Sequence, residues 1–237
     1  MTREALPHRP RGGAQHIPRP ADWSPGAPPQ WPEPAGAVVV ASLDASLRGG
    51  YLREPGEPDD FSHPLRPADS RASSVLAVFA DGPRGAEVLL TRRSQSLSSH
   101  RGEMSFPGGR VDPDEGYAEA ALREAHEEVG LPPHAVTVLG ALDPISTWVS
   151  RSWIVPIVGI AADGADAWRH LGPASGEVDR VMWVPLADLC APGTFREERW
   201  RTERGELAVS FFELDDETVW GATARVLRSV LAAVHAS

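Results

Sequence analysis

Lysine is missing from this chain of 237 residues, so every fixed positive side-chain charge is a guanidinium. Cysteine is almost missing: Cys190 stands alone and has no partner for an internal disulfide, which suits a reducing compartment. No apolar run approaches the roughly 18 residues of a membrane helix. The opening MTREALPHRPRGG also lacks the hydrophobic stretch of a secretory signal, so a cytoplasmic protein without membrane attachment is expected. Positive charge is in deficit overall, with a formal net charge of −10, and this argues against a general nucleic-acid binder, which needs an electropositive face to displace counterions. A small polyanionic ligand would instead need local help from metal ions or a few placed arginines.

What is present is ordinary for a soluble globular protein. Hydrophobic residues make up 41% and charged residues 24%, enough for one catalytic domain with some chain to spare. Residues 1–70 are rich in proline and glycine, with a single short apolar run at Ala37 to Leu43, and read as a partly disordered or loosely docked extension. Residues 71–237 read as the folded domain. Ser74 to Phe79 and Ala86 to Thr91 are short apolar segments separated by DGPRG, the pattern of a hairpin. Further strands are expected at Ala135 to Leu142, Trp153 to Ala161, Val178 to Val184 and Leu207 to Phe212, and a closing helix at Trp220 to Val234. Strands outnumber helices, so the expected class is α+β, a mixed sheet flanked by helices.

A helix is predicted over Tyr117 to Val129, introduced by Asp112, Pro113 and Asp114 and stopped by Gly130 with prolines following. Leu122, Ala125 and Val129, with Ala118 beside them, form its expected buried stripe. Glu124, Glu127 and Glu128 then gather within about 100° of arc on the other side. Like charges at that spacing weaken a helix, a cost that a hard divalent cation reverses by taking carboxylate oxygens. A plain solvated surface gives the same triplet. Arg123, likewise, pairs with Glu119 or Glu127 on spacing alone, each four residues away.

The surrounding residues separate these readings. From Gly109 to Leu131 the chain reads GRVDPDEGYAEAALREAHEEVGL, and Gly109, Glu115, Arg123, Glu124, Glu127, Glu128, Gly130 and Leu131 carry the spacing of the Nudix box. The chain resembles the Nudix hydrolase family, with Ala125 where that family usually has a larger aliphatic residue. The resemblance implies a Nudix fold, with the mixed sheet sandwiched between helices, and hydrolysis of a pyrophosphate bond in a nucleotide derivative. It implies that Gly109, Glu124, Glu127 and Glu128 bind Mg²⁺ or Mn²⁺, that Arg123 orients the carboxylates, and that Glu115 braces the loop.

The preceding stretch LLTRRSQSLSSHRGEMSFPGG, Leu89 to Gly109, is similar to the extended motif of the coenzyme A pyrophosphatase branch, apart from Ser98, where many members carry arginine. Likeness continues through LDPIST, WIVPIVG, EVDRVMWVPLADL and VWGATARVL, although the serine-glycine pair expected after Thr147 is missing. The implied substrate is coenzyme A or a derivative, cut to 3',5'-ADP and 4'-phosphopantetheine. Arg92, Arg93, Arg101 and Arg110 place four guanidinium groups around the loop leading into the box, suited to bidentate phosphate contacts. Decoration of a hairpin edge is the alternative for each of them. His100 is a ligand contact or a surface residue, and Trp148, Trp153 and Trp220 are core or stacking partners for adenine. Glu177, ahead of the strand at Val178 where the resembling family often has glutamate, is the candidate to accept the proton of the attacking water or to bind a second ion, with a solvent-exposed loop glutamate as the alternative.

Two other readings stay open. ADP-ribose or a dinucleotide is the alternative substrate, and a non-catalytic binding module on the same fold is the alternative class. Retention of all three helix glutamates and Arg123 speaks against the second. The oligomeric state is open, a homodimer included.

Overall fold

The computed structural model describes residues 12–32, 37–54, 66, 67, 69–97, 99–147, 151–203 and 205–236. Ser98 and Trp148, singled out above, lie outside the described residues. Elements run in the order β1 (Trp23–Pro25), α1 (Val40–Arg48), β2 (Arg71–Gly82), β3 (Gly85–Arg93), β4 (Met104–Ser105), β5 (Gly108–Arg110) and α2 (Tyr117–Val129). They continue with β6 (Val136–Ala141), β7 (Ile145–Ser146), β8 (Ser152–Ala161), α3 (Gly164–Ala167), β9 (Val178–Pro185), α4 (Leu186–Leu189), β10 (Phe195–Thr202), β11 (Gly205–Glu213), β12 (Thr218–Trp220) and α5 (Gly221–His235). No helix among the described residues is long and apolar enough to cross a membrane.

Strands β2 and β8 run parallel at the centre of a mixed eight-stranded sheet, in register from Arg71↔Ser152 to Phe79↔Ile160. Both faces of this pair are covered, which is why SVLAVF reads as a continuous apolar run rather than an alternating one. Ala77, Phe79, Val88, Leu90 and Val158 face α1, α5 and a second sheet, whereas Leu76, Val78, Leu89, Val155 and Ile157 face α2. The expected hairpin forms between β2 and β3, and Gly82 and Gly85 flank its two-residue turn. The second sheet is four-stranded and antiparallel, in the order β1-β10-β11-β12.

The N-terminal segment corrects the expectation of a loosely docked extension, as far as it is described. Ala37 to Leu43 does not form an isolated run. From Val40 it winds into α1, whose Val40, Leu43 and Leu47, at i, i+3 and i+7, are buried in the core. Trp31 is 5% exposed and packs edge-on against Phe195 and stacked on Phe212. Strand β1 adds an edge to β10, with Trp23↔Trp200, and Arg19 Nε donates to the buried Glu198 at 2.9 Å. Proline breaks the periodicity between these anchors without removing them. Of the two described tryptophans among those named above, Trp153 is buried beneath α2, and the half-buried Trp220 stacks on Phe211.

Candidate active site

Helix α2 starts and stops where its sequence says it should. The Gly116 N–H donates to Glu119 at 3.0 Å, closing the first turn, and Gly130 takes the left-handed conformation at φ 79° to end it. Glu119 is therefore committed to the cap and does not pair with Arg123. The buried face is centred differently from the expected stripe: Tyr117, Ala121, Ala125 and Val129 are buried, and so is Glu128, while Leu122 and Ala118 are only half-buried. The difference arises because α2 packs on two surfaces at once, the sheet at β2 and the glycine strand β5 beside it. The Ser74 hydroxyl fixes the contact by donating to the Tyr117 carbonyl at 2.7 Å.

The three helix glutamates consequently have three environments. Glu128 is 5% exposed, and its Oε2 accepts the Gly108 N–H at 3.1 Å. Burial pushes its carboxyl up to about 7, against the opposing pull of that hydrogen bond and of Arg93. Glu124 is half-buried, and burial raises its pKa too, against the pull of Arg123. Its carboxylate lies over Gly109, where any Cβ would run into Glu124 Oε1. Glu127 is exposed and, among the described residues, reaches only Arg123 Nη1, at 3.3 Å. Gly108 is equally constrained, since a Cβ there would lie 2.7 Å from the Val75 Cα.

Arg123 ties these parts together. Its Nε and Nη2 donate to the two oxygens of Glu115 at 2.8 and 3.0 Å, its Nη1 to Glu124 at 3.0 Å, and its Nη2 to the Arg110 carbonyl at 3.0 Å. The guanidinium holds the Glu115 carboxyl below its usual range, and Glu115 in turn accepts the Asp112 N–H at 3.1 Å. One side chain thus joins loop, strand β5 and helix, a fork geometry that lysine does not have.

The four flanking arginines part company because side chains alternate along a strand. Arg93 faces α2, with Nη1 3.9 Å from Glu128 Oε1 and Nη2 3.6 Å from Glu177 Oε2. Glu177 is thereby brought to the carboxylate helix; its side chain is exposed, and its carbonyl accepts the Ser94 N–H at 2.7 Å. Arg92 points to the opposite face and does not join the group. The buried Glu217 takes its Nη1 at 3.0 Å, and Arg180 Nη1 at 2.9 Å, in an ion cluster that sequence spacing gave no means of foreseeing. Arg101 and Arg110 are exposed, and neither guanidinium has an ion partner among the described residues. His100 bonds Glu103 at 3.0 Å, which raises its pKa.

No three acidic, histidine or cysteine side chains converge tightly enough to cage an ion by themselves among the described residues. The donor set nonetheless fits Mg²⁺ or Mn²⁺, which take one or two carboxylates and complete their shell with water and substrate phosphate. Glu124 and Glu128 are carboxylates that could serve in this way, each lying against the Gly108–Gly109 backbone. Among the described residues, buried Glu128 has only Arg93, 3.9 Å away, as counter-charge, an imbalance that a bound cation would correct.

Comparison with known proteins identifies the family. The model of the NUDIX domain matches residues 70–204. A probable nudix hydrolase of Schizosaccharomyces pombe is 35% identical over 207 residues, covering 80% of this chain and 70% of that protein. The Nudix hydrolase NudL of Photorhabdus laumondii is 35% identical over 170 residues, covering 70% of this chain and 87% of its own length. Among solved structures, the Nudix hydrolase RenU from M. smegmatis aligns with a TM-score of 0.42 at 27% identity, over 50% of this chain and 73% of that one. The chain belongs to the Nudix hydrolase family and is an enzyme that hydrolyses pyrophosphate bonds in nucleotide derivatives.

Proposed function

We propose that this pyrophosphohydrolase acts on coenzyme A or its acyl derivatives, releasing 3',5'-ADP and (acyl-)4'-phosphopantetheine. The observation that carries the reading is the position of Arg93. It belongs to the Leu89-to-Gly109 stretch that resembles the coenzyme A pyrophosphatase branch, and its guanidinium stands between Glu128 and Glu177. Arg101 and Arg110 add two unengaged guanidinium groups to the same loop region, suited to the diphosphate and to the further 3'-phosphate of this substrate.

Divalent metal held at Glu124 and Glu128 would neutralise diphosphate charge and acidify a bound water. The side chains have separate tasks around it. Arg123 keeps Glu124 against Gly109 and spans to Glu127, while the Gly108 N–H fixes Glu128. Glu177 accepts the proton of the attacking water, and Arg93 positions it. Attack at phosphorus then breaks the P–O–P link in line, with the second phosphate leaving.

Incubating the full-length protein in Mg²⁺ or Mn²⁺ with coenzyme A, ADP-ribose, NADH and dinucleoside polyphosphates tests the reading by product identification. Preferred formation of 3',5'-ADP from coenzyme A supports it. Preferred cleavage of ADP-ribose or a dinucleotide would replace the substrate and keep the chemistry.

A further inference from the structure

A cavity of about 520 Å³ opens on the α5 side of the large sheet, and most of its wall is built from chain outside the matched region 70–204. Buried Leu142, Ile145 and Val226 form an apolar floor; exposed Gln30, Tyr51 and Ser229 form a polar rim. One wall comes from the N-terminal segment, which is fixed there by reciprocal backbone hydrogen bonds between Arg53 and Ala141, both 2.8 Å.

Strand register connects this cavity to the candidate active site. Ile145 pairs with Ile154, Ile154 with Ser73, and Ser73 with Arg110. Side chains paired in this way share a face. That face is the α5 side, because Ile145 packs in the α5 core and the neighbouring Ser74 points its hydroxyl the other way, at α2. Ser73 and Ile154 are only half-buried, so the sheet is partly uncovered along this row. Three strand spacings separate Arg110 from Ile145, about 14 Å. At the near end β5 pairs with β2 alone, and the exposed Arg110 follows directly on Gly109, beneath Glu124.

We propose that this cavity receives the pantetheine arm of the substrate, with the diphosphate at the open edge of β5 and the thiol end between α5 and the N-terminal segment. The proposal rests on the coenzyme A reading above. The arm's chain is about as long as four extended residues, which reach about 14 Å. It alternates methylene and methyl groups with two amides and a hydroxyl, matching an apolar floor beneath a polar rim. The site therefore discriminates at the organic end of the substrate through residues that lie largely outside the matched domain.

The test is calorimetric binding of 4'-phosphopantetheine and of 3',5'-ADP to the full-length protein and to Ala232→Trp, which puts an indole into the cavity from α5. The expected result is binding of 4'-phosphopantetheine by the parent protein, weakened at least about tenfold in the variant, with 3',5'-ADP unchanged. Absence of 4'-phosphopantetheine binding by the parent, equal affinity in both proteins, or equal weakening of both ligands would overturn the proposal. Ser229→Trp, on the exposed rim, repeats the comparison if Ala232→Trp does not fold. Failure of the coenzyme A reading itself shows elsewhere, as an absence of coenzyme A turnover by the parent protein.

Discussion

Glu128 accepts a hydrogen bond from the Gly108 N–H at 3.1 Å while lying 5% exposed, so the glycine strand and the carboxylate helix meet at a buried acid. Its pKa is raised from the ordinary 4.5 to about 7, mainly by burial. The folded protein therefore holds a proton that the unfolded chain has released across that window. Without metal, stability falls as pH rises from about 4.5 to about 7. Glu128→Gln, which keeps an acceptor for Gly108, should flatten that slope and stabilise the metal-free protein at pH 8 by on the order of 1–3 kcal/mol while removing turnover. Denaturant melts of both proteins across pH, in chelator, measure this. An unchanged slope in the variant contradicts the assignment.

Gly109→Ala isolates the close approach of Glu124. The added methyl would collide with the end of a flexible side chain, so the fold should survive with little loss of melting temperature. Glu124 must move, and turnover should fall by at least about tenfold. Wild-type turnover in the alanine variant would show that the position of Glu124 over Gly109 is not needed for catalysis.

Glu177→Gln addresses the proposed proton acceptor. Loss of a general base should lower kcat by about 10² to 10⁴ with little change in KM. The acidic limb of the pH–rate profile should shift or vanish. A full-rate variant with an unchanged profile returns the role to the helix carboxylates.

The N-terminal segment gives a prediction on stability. Leu47 is fully buried on α1, so Leu47→Ala should cost about 2–5 kcal/mol. Deleting residues 1–54 should be worse, since Trp31 and Leu43 leave with it. Thermal melts decide the matter, and a truncated protein as stable as the full chain would show that these contacts add nothing.

Much of this was legible in the residues. The stop of α2 follows from Gly130, and the hairpin follows from DGPRG, because local chemistry determines each of them. What sequence spacing missed depended on long-range packing. Glu128 looked exposed on a helical wheel and is buried because β5 closes over it. Arg92 looked equivalent to Arg93, yet strand alternation and the distant Glu217 send it to the other face. Helix α1 was hidden among prolines, its short stripe at Val40, Leu43 and Leu47 giving too little periodicity to stand out. Strand β10, FREERWRT, was concealed by its charges, since Glu197 and Glu198 are buried against arginines far away in sequence.

The decisive measurement for Glu124 and Glu128 as the proposed metal-holding carboxylates is kcat for coenzyme A hydrolysis under saturating Mg²⁺ in the parent, Glu124→Gln and Glu128→Gln. Both variants should fold, with kcat reduced by at least about 10²-fold, because each loses a charge proposed to hold the metal against the diphosphate. Near-parental kcat in both folded variants would contradict it.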